Sequence, residues 1–407
     1  MLHPAGTRLM SNAKSPRRPD FSEMHASLQK WVDGDYLAGA SALVMRGTDI
    51  VDEVYCGHRD RERKLPMTPD TICRIYSNTK PITSVAAMTL HEAGRFGLDD
   101  PIAEYLPVLR KLKVLKLGAS NPTDVEALQE PPTVRQLFCH NAGFSYGAFQ
   151  ESIVDPAYMA AGILRPDATL ETMVSRLADL PLANQPGRRF QYSVSTDVLA
   201  RLVEVWSGRR FSDYLNRAIF EPLGMRDTGF FVPESKRQRF AVNYVPVDAM
   251  DPMKPGLTKA PDTMVGSYLE PRAFESGGGG LVGTLPDYAK FISMITGRGT
   301  TNGVRILKPE TVDLMHTNQL PVGVGVQLPN WSMPNTVFGL GFAIKLKPAD
   351  GEPDSAIDEF HWGGLAGTHS WIAPRADLAA IVFTQRLPGF WHPFSHDFKR
   401  RVYEAVG

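Results

Sequence analysis

Residues 71–97 read TICRIYSNTKPITSVAAMTLHEAGRFG. The first six, TICRIY, form a short β-rich run that leads without a break into a stretch of helical spacing. That stretch has Pro81 in its first turn, Ala, Val, Met and Leu recurring on one side, and Gly94 where a left-handed residue would cap the end. Ser77 therefore falls at a helix N-terminus straight after a strand, with Lys80 three residues on and on the same face. A serine hydroxyl is a weak nucleophile at neutral pH and needs a base beside it. Here Ile82, Val85 and Ala86 follow to bury the lysine, and the helix N–H groups and dipole face the serine's oxyanion. The same position also suits an N-capping serine, and the local text by itself leaves both roles open.

The Ser-x-x-Lys spacing occurs twice more. Ser11 and Lys14 stand in a polar tail where nothing would desolvate the lysine. Ser27 and Lys30 stand in SEMHASLQKWVDG, residues 22–34, whose Met24, Leu28 and Trp31 mark an amphipathic surface helix, so this pair is expected on its solvated face. A sharper rival is Gly143-Phe144-Ser145-Tyr146-Gly147, which matches the G-x-S-x-G elbow and has His361 and His369 downstream as possible partners. The elbow needs a buried strand before it. What precedes it is PPTVRQLFCHNA, residues 131–142, which reads as a helix capped by Thr133 with Val134, Leu137 and Phe138 on one side. Ser145 is therefore expected to be a loop residue.

Further out, LAGASALVMRG and TDIVDEVYCG, residues 37–57, are two apolar runs broken by Gly47-Thr48-Asp49, the text of a β-hairpin. Near the other end a Gly-rich turn at 276–280 precedes a helix at 286–296, β-rich runs follow near 337–346, 368–373 and 378–384, and HDFKRRVYEAV closes the chain as a helix. Between about 100 and 270 the pattern is short helices and long Pro-rich loops. These pieces predict an α/β (α+β) fold: one antiparallel sheet assembled from both chain ends, flanked by helices, with an inserted helical region. The expected divisions are a flexible tail over 1–18, a sheet domain over 19–100 and 275–407, and a mainly helical insert over 101–274.

The composition narrows the partners. The chain has 407 residues, and its 44 Lys+Arg balance 44 Asp+Glu, so it projects no basic field toward nucleic acid. With 43% hydrophobic and 22% charged residues it is an ordinary globular chain, which excludes disorder or coiled coil throughout. Cys56, Cys73 and Cys139 are too few and scattered for a disulfide scaffold, lack metal-ligand spacing, and are expected as buried thiols. No apolar run has the length of a signal peptide or of a membrane span of about 18 residues. A soluble cytoplasmic protein with neither membrane nor nucleic-acid partner is expected, and oligomeric state has no sequence signal.

Two further segments carry chemistry. QPGRRFQYSVSTDVLARLVEVWSG, residues 185–208, places Tyr192 after a Pro-Gly turn and just before a helix with Leu199, Leu202, Val203 and Trp206 on its apolar side. A tyrosine there is usually packing, but a phenol held near a lysine ammonium can relay protons. His361-Trp362-Gly363-Gly364-Leu365-Ala366-Gly367 lies within apparent strands, where glycines mark a bulge or a close approach of backbone to a ligand.

Taken together, Ser77-Asn78-Thr79-Lys80, then PGRRFQYSV, then Trp362-Gly363-Gly364 before THSWIAP resemble the serine β-lactamase and penicillin-binding-protein superfamily, and most of all the family VIII carboxylesterases, which look like class C β-lactamases. His140-Asn141-Ala142-Gly143 is similar to that family's H-T-S-G segment, EPLGMRDTGF at 221–230 to its P-L-G-M-x-D-T, and SGGGGLVGTLPDYAKF at 276–291 to its S-G-G-x-G-L. The likeness runs over about residues 20–400. It implies Ser77 as the acylated nucleophile, Lys80 as the base that takes its proton, and Tyr192 as a partner in that proton traffic and in deacylation. Which of Lys80 and Tyr192 is the acylation base stays open.

The resemblance also implies an oxyanion hole from the backbone N–H groups of Ser77 and Leu365, a substrate-binding edge at Trp362, Gly363 and Gly364, and a place for His369 near the acyl-enzyme or as a structural histidine. No metal or organic cofactor is implied. Trp362-Gly363-Gly364 stands where β-lactamases carry K-T-G, and Val194 where they carry the Asn of Y-x-N. The missing cation, with the zero net charge, favours a small neutral ester over an anionic lactam or cell-wall peptide. The expectation is a serine carboxylesterase acting on short- to medium-chain acyl esters, with weak cephalosporin hydrolysis in reach. The alternatives are a β-lactamase or D-amino-acid peptidase, an acyltransferase to an alcohol, and a catalytically silent binding member of the fold. The loops between 100 and 270 are expected to line the pocket.

Overall fold

The computed structural model describes residues 19–149, 151–328 and 331–407. The Ser11–Lys14 pair and the tail expected over 1–18 lie outside the described residues.

Successive side chains of a strand point to opposite faces, so a strand apolar at every position is covered on both. Residues 378–383, LAAIVF, are buried at all six positions. They are the last of eight strands in one sheet: β1 (Gly39–Arg46), β2 (Asp49–Asp60), β3 (Leu65–Pro66), β4 (Thr336–Phe338), β5 (Ala343–Lys345), β6 (Phe360–Gly364), β7 (Thr368–Ala373) and β8 (Leu378–Phe383). The spatial order is β4-β5-β6-β7-β8-β1-β2-β3, and every neighbouring pair is antiparallel. The two chain ends meet where β1 pairs with β8, from Ser41 opposite Phe383 to Arg46 opposite Leu378. The run at 337–346 turns back on itself and supplies both β4 and β5.

On one face Ala40, Ala42, Val44, Trp371, Ala380 and Val382 pack against α1 (Ser22–Asp33) and α6 (Pro393–Val406). On the other, Leu43, Met45, Ala379, Ile381 and Phe383 join the main core, shared with α2 (Thr79–Glu92), α4 (Ser195–Ser207) and α5 (Leu285–Thr296). α6 opens at Pro393, three residues before the run read from sequence, because proline in a first helical turn forfeits only an N–H with no intrahelical acceptor.

Of the Ser27–Lys30 pair only Lys30 lies on a solvated face. Ser27 is buried and donates to Asp397 of α6, which also accepts from Trp31 Nε1 at 3.2 Å, while Lys30 is exposed. α6 comes from the far end of the chain, and local periodicity cannot show that it covers this side of α1.

The short helix α3 (Val134–Phe138) is closed by a reciprocal capping box: Gln136 N–H donates to Thr133 Oγ1 at 3.4 Å and Thr133 N–H to Gln136 Oε1 at 3.0 Å. A helix therefore precedes Gly143-Phe144-Ser145-Tyr146-Gly147. Of TICRIY only Cys73–Arg74 pairs in a ladder, with Val282–Gly283, outside the large sheet. The three cysteines are buried and free. Among the described residues no helix is long and apolar enough to cross a membrane.

Candidate active site

The ladder at Cys73–Arg74 ends in a 3-10 turn, Tyr76–Asn78, from which α2 starts. Tyr76 is held at φ +44°, a conformation that non-glycine residues rarely adopt, and its hydroxyl accepts a 2.8 Å bond from Asn243 Nδ2. Ser77 in the middle of this turn caps neither the turn nor α2, so the N-cap alternative does not describe it. Its Oγ lies 3.2 Å from Lys80 Nζ and 2.8 Å from Tyr192 Oη.

Lys80 is 1% exposed. Its Nζ donates to Ser77 Oγ at 3.2 Å, to Tyr146 Oη at 2.9 Å and to the Gly278 carbonyl at 2.6 Å, so the three N–H groups of an ammonium meet three acceptors. The charge also sits 4.6 Å from the Tyr192 ring centroid and 5.3 Å from that of Tyr146. Ser77 Oγ thus accepts from two donors, Lys80 and Tyr192, and either can take the serine proton only after giving up its own, the other then remaining as a donor to that oxygen.

A buried layer supports the lysine. Asp197, on α4, accepts from Ser276 Oγ at 2.6 Å and from Gly278 N–H at 3.0 Å through Oδ1, and its Oδ2 has no hydrogen-bond partner among the described residues. Burial pushes this carboxyl up, opposed by the Ser276 bond and the Lys80 charge. Burial, with Tyr192 and Asp197 close by, holds the Tyr146 hydroxyl well above the ordinary phenol range, so it remains protonated. A Cβ on Gly278 would stand 2.6 Å from Asp197 Oδ2 and 2.9 Å from Tyr146 Oη, so any larger residue there would displace both side chains. His140, whose ring centroid is 4.9 Å from that of Tyr192, is kept neutral by burial and then by the Lys80 charge.

Sequence reading singled out neither Tyr146 nor Asp197. The signal for Tyr146 lies inside the G-x-S-x-G match, one residue after its serine. Ser145 itself donates to Asp155 Oδ1 at 2.5 Å and accepts from Gly147 N–H at 3.1 Å, which builds the turn, and it does not line the cavity at Ser77. Asp197 follows Tyr192 by five residues, in a helix whose apolar spacing draws attention to its other positions.

The β6–β7 turn is sewn to the serine turn. Thr368 Oγ1 donates to the Ile75 carbonyl at 3.0 Å, and Asn78 Nδ2 donates to the Thr368 carbonyl at 3.0 Å. Gly364 lets the two backbones touch: a Cβ on it would stand 2.3 Å from the Ile75 carbonyl oxygen. Gly364→Ala is therefore expected to push β6 off the serine turn, lowering kcat/KM for a nitrophenyl ester by about 100-fold, together with a lower thermal midpoint. Unchanged steady-state kinetics in this variant would refute the close approach.

Of residues 362–365 only Leu365 lines the cavity. Trp362 is buried behind Tyr192, ring centroids 5.5 Å apart, and stands edge-on to Phe338 at 5.2 Å. His369 packs beside Gly363 and stacks on Phe390, with Nε2 3.5 Å from the Gly389 carbonyl. Burial pushes its imidazole down to about 4, so it is neutral near pH 7, and it is not part of the cavity wall.

The cavity itself has a volume of 670 Å³ and presents Ser77, Tyr146, Tyr192 and Leu365 among apolar side chains such as Phe149, Leu164, Phe230, Met264 and Trp391. Segments 146–166 and 263–274 supply much of its wall, and 276–280, Leu328, Phe390 and Trp391 complete it.

Residues 28–402 match the family described as Beta-lactamase. Esterase EstB of Burkholderia gladioli is 32% identical over 361 residues, which cover 86% of this chain and 86% of that protein. Monacolin J acid methylbutanoyltransferase of Aspergillus terreus is 28% identical over 369 residues, 86% of this chain and 85% of that one. Among solved structures EstCE1, described as a hydrolase with promiscuous acyltransferase activity, superposes with a TM-score of 0.77 at 25% identity, covering 94% of this chain and 98% of its own. With a nucleophile turn built as above and likeness along nearly its whole length, the chain belongs to the beta-lactamase family, and to the esterase type within it that the family VIII carboxylesterases represent.

Proposed function

We propose that the protein is a serine carboxylesterase that hydrolyses short- to medium-chain acyl esters through an acyl-enzyme on Ser77. The observation that carries this reading is the Ser77 hydroxyl, held by Lys80 and Tyr192 together and opening on a largely apolar cavity. In the reacting state the Lys80–Tyr192 pair holds one proton fewer than an ammonium with a phenol, the vacancy lying on one or the other; Ser77 Oγ attacks the ester carbonyl as its proton passes to that vacancy, and the pair returns the proton to the departing alcohol oxygen. The carbonyl oxygen, negative in the tetrahedral intermediate, is met by the backbone N–H groups of Ser77 and Leu365. In the second step water gives its proton to the same pair, its oxygen attacks the acyl carbonyl, and Ser77 Oγ leaves with the proton restored. This chemistry requires neither a metal nor an organic cofactor.

The wall favours an acyl chain over a peptide. Trp362 brings no cation to β6, and Val194 offers no amide where the β-lactamase pattern has asparagine. Acyl transfer is the second reading, because a 670 Å³ cavity has room for an alcohol beside the acyl group and an alcohol attacks the acyl-enzyme by the same route as water. The kinship to a protein named as a methylbutanoyltransferase and to EstCE1 supports it.

Treatment with a fluorophosphonate, followed by mass spectrometry of the digested protein, is expected to place one adduct on the peptide bearing Ser77, with parallel loss of nitrophenyl-ester hydrolysis. An adduct on Ser145 instead, or full activity in fully labelled protein, would overturn the assignment.

A further inference from the structure

Among the described residues twenty-four line the cavity at Ser77, and Arg272 is the one charged side chain of these. Its surroundings leave that charge without a counter-ion. The carboxylates nearest in sequence are claimed by other arginines, Glu270 by Arg237 at 2.6 Å and Glu275 by Arg210 at 2.7 Å, and among the described residues no carboxylate pairs with Arg272. Its guanidinium donates to the Ser267 carbonyl, lies against Gly266, and stacks 4.7 Å from the ring centroid of Tyr268. A guanidinium has five N–H donors, so most of this one's capacity is unspent.

A second cation, which feels the Asp262 carboxylate only through space, stands behind the same wall. Arg74 is buried, 4.2 Å from the Phe240 ring centroid and 5.3 Å from that of Tyr268, and its guanidinium donates only to the backbone carbonyls of Ala241 and Gly266 among the described residues. Tyr268 cannot serve both as an anion, since burial raises its hydroxyl above the ordinary range. A positive charge in a largely apolar cavity, unpaired in the free protein, is stabilised when an anion arrives with matching geometry.

We infer that the ester taken by this site carries an anionic group, such as a carboxylate, away from its scissile carbonyl, and that Arg272 binds that group. The inference rests on the esterase reading and sharpens its substrate class. The cation missing at Trp362 on β6 is replaced by one on the segment over 262–272, so the neutral ester expected from sequence gives way to an anionic one recognised from a different side.

The test uses full-length protein and two matched pairs of esters. One pair puts the charge in the acyl part, the 4-nitrophenyl monoester of adipic acid against its methyl-capped form. The other puts it in the alcohol part, 4-acetoxybenzoate against its methyl ester. In at least one pair the acid is expected to have the higher kcat/KM by about 10-fold, mainly through KM, and the preference is expected to shrink in 0.5 M salt. Arg272→Gln is expected to collapse that ratio toward one, and Arg272→Lys to restore part of it.

Absence of a preference for the acid in both pairs overturns the inference, as does an Arg272→Gln variant that slows acid and capped ester by the same factor. Should that variant not fold, the salt dependence of the wild-type ratio decides: a ratio indifferent to salt overturns the inference. Failure of the parent reading has a separate signature, namely that none of the four esters, capped ones included, is hydrolysed in a Ser77-dependent way.

Discussion

Ser77→Ala is expected to lower kcat for a short-chain nitrophenyl ester by at least about 10,000-fold, while Ser145→Ala is expected to stay within a few-fold of the parent. The contrast follows from what each hydroxyl touches. Ser77 Oγ opens on the cavity and accepts from Lys80 and Tyr192, and alanine there leaves both donors facing a methyl group. Ser145 Oγ is spent on Asp155 and Gly147. Its loss leaves Asp155 still accepting from the Glu151 and Ser152 amides at 2.8 and 3.2 Å, so the expected effect is on stability, about 1–2 kcal/mol. A small kinetic penalty is expected because Tyr146 is the next residue and bonds Lys80. Steady-state kinetics with thermal melts on both variants check this, and ester activity that survives Ser77→Ala but disappears in Ser145→Ala would sink the proposed mechanism.

Tyr192→Phe removes one hydroxyl and leaves the ring packed against Trp362 and His140. The expected loss in kcat is about 100- to 10,000-fold, the range for a positioned proton-transfer group. Lys80→Ala is expected to be at least as severe, since it also strands the Tyr146 hydroxyl and the Gly278 carbonyl, which then lack their buried donor. If the two side chains serve as one proton-handling pair, the double variant falls less than about 10-fold below the poorer single one, because residues acting as a unit are not additive. Retention of parental kcat by Tyr192→Phe would remove the phenol from the reaction.

Much of this is legible in the sequence. The hairpin around Gly47-Thr48, the helix behind Ser77, the Thr133 cap and the helix entry after Tyr192 all declare themselves within a turn or two of chain, because caps, turns and periodicity act over four residues or fewer. The Thr133 cap mattered most, since a helix ahead of Ser145 took the elbow reading away. The order of the motifs named Ser77, Lys80 and Tyr192. Less legible were positions whose meaning depends on distant partners. Ser27 looks like a surface residue until α6 arrives over it. Trp362 reads as substrate-facing surface beside two glycines and instead fills the space behind Tyr192. Arg272 sits in a loop with no motif, and that its charge has no carboxylate partner among the described residues shows only once Glu270 and Glu275 are seen to pair with Arg237 and Arg210.

The sequence by itself determined the local elements and the antiparallel sheet drawn from both chain ends, since hydrophobic period and turn chemistry are short-range quantities, and its family resemblance pointed to Ser77, Lys80 and Tyr192 as the proposed reacting side chains. Only the tertiary structure decided which groups share one buried volume. Tyr146, Tyr192 and Gly278 reach the Ser77–Lys80 turn across 66, 115 and 198 residues of chain, and Asp197 comes with Gly278. Hydrogen bonding and charge act through a few ångströms of space, whatever the length of chain between the partners. That is why the charge balance of the whole chain is zero while the cavity beside Ser77 carries one unpaired guanidinium.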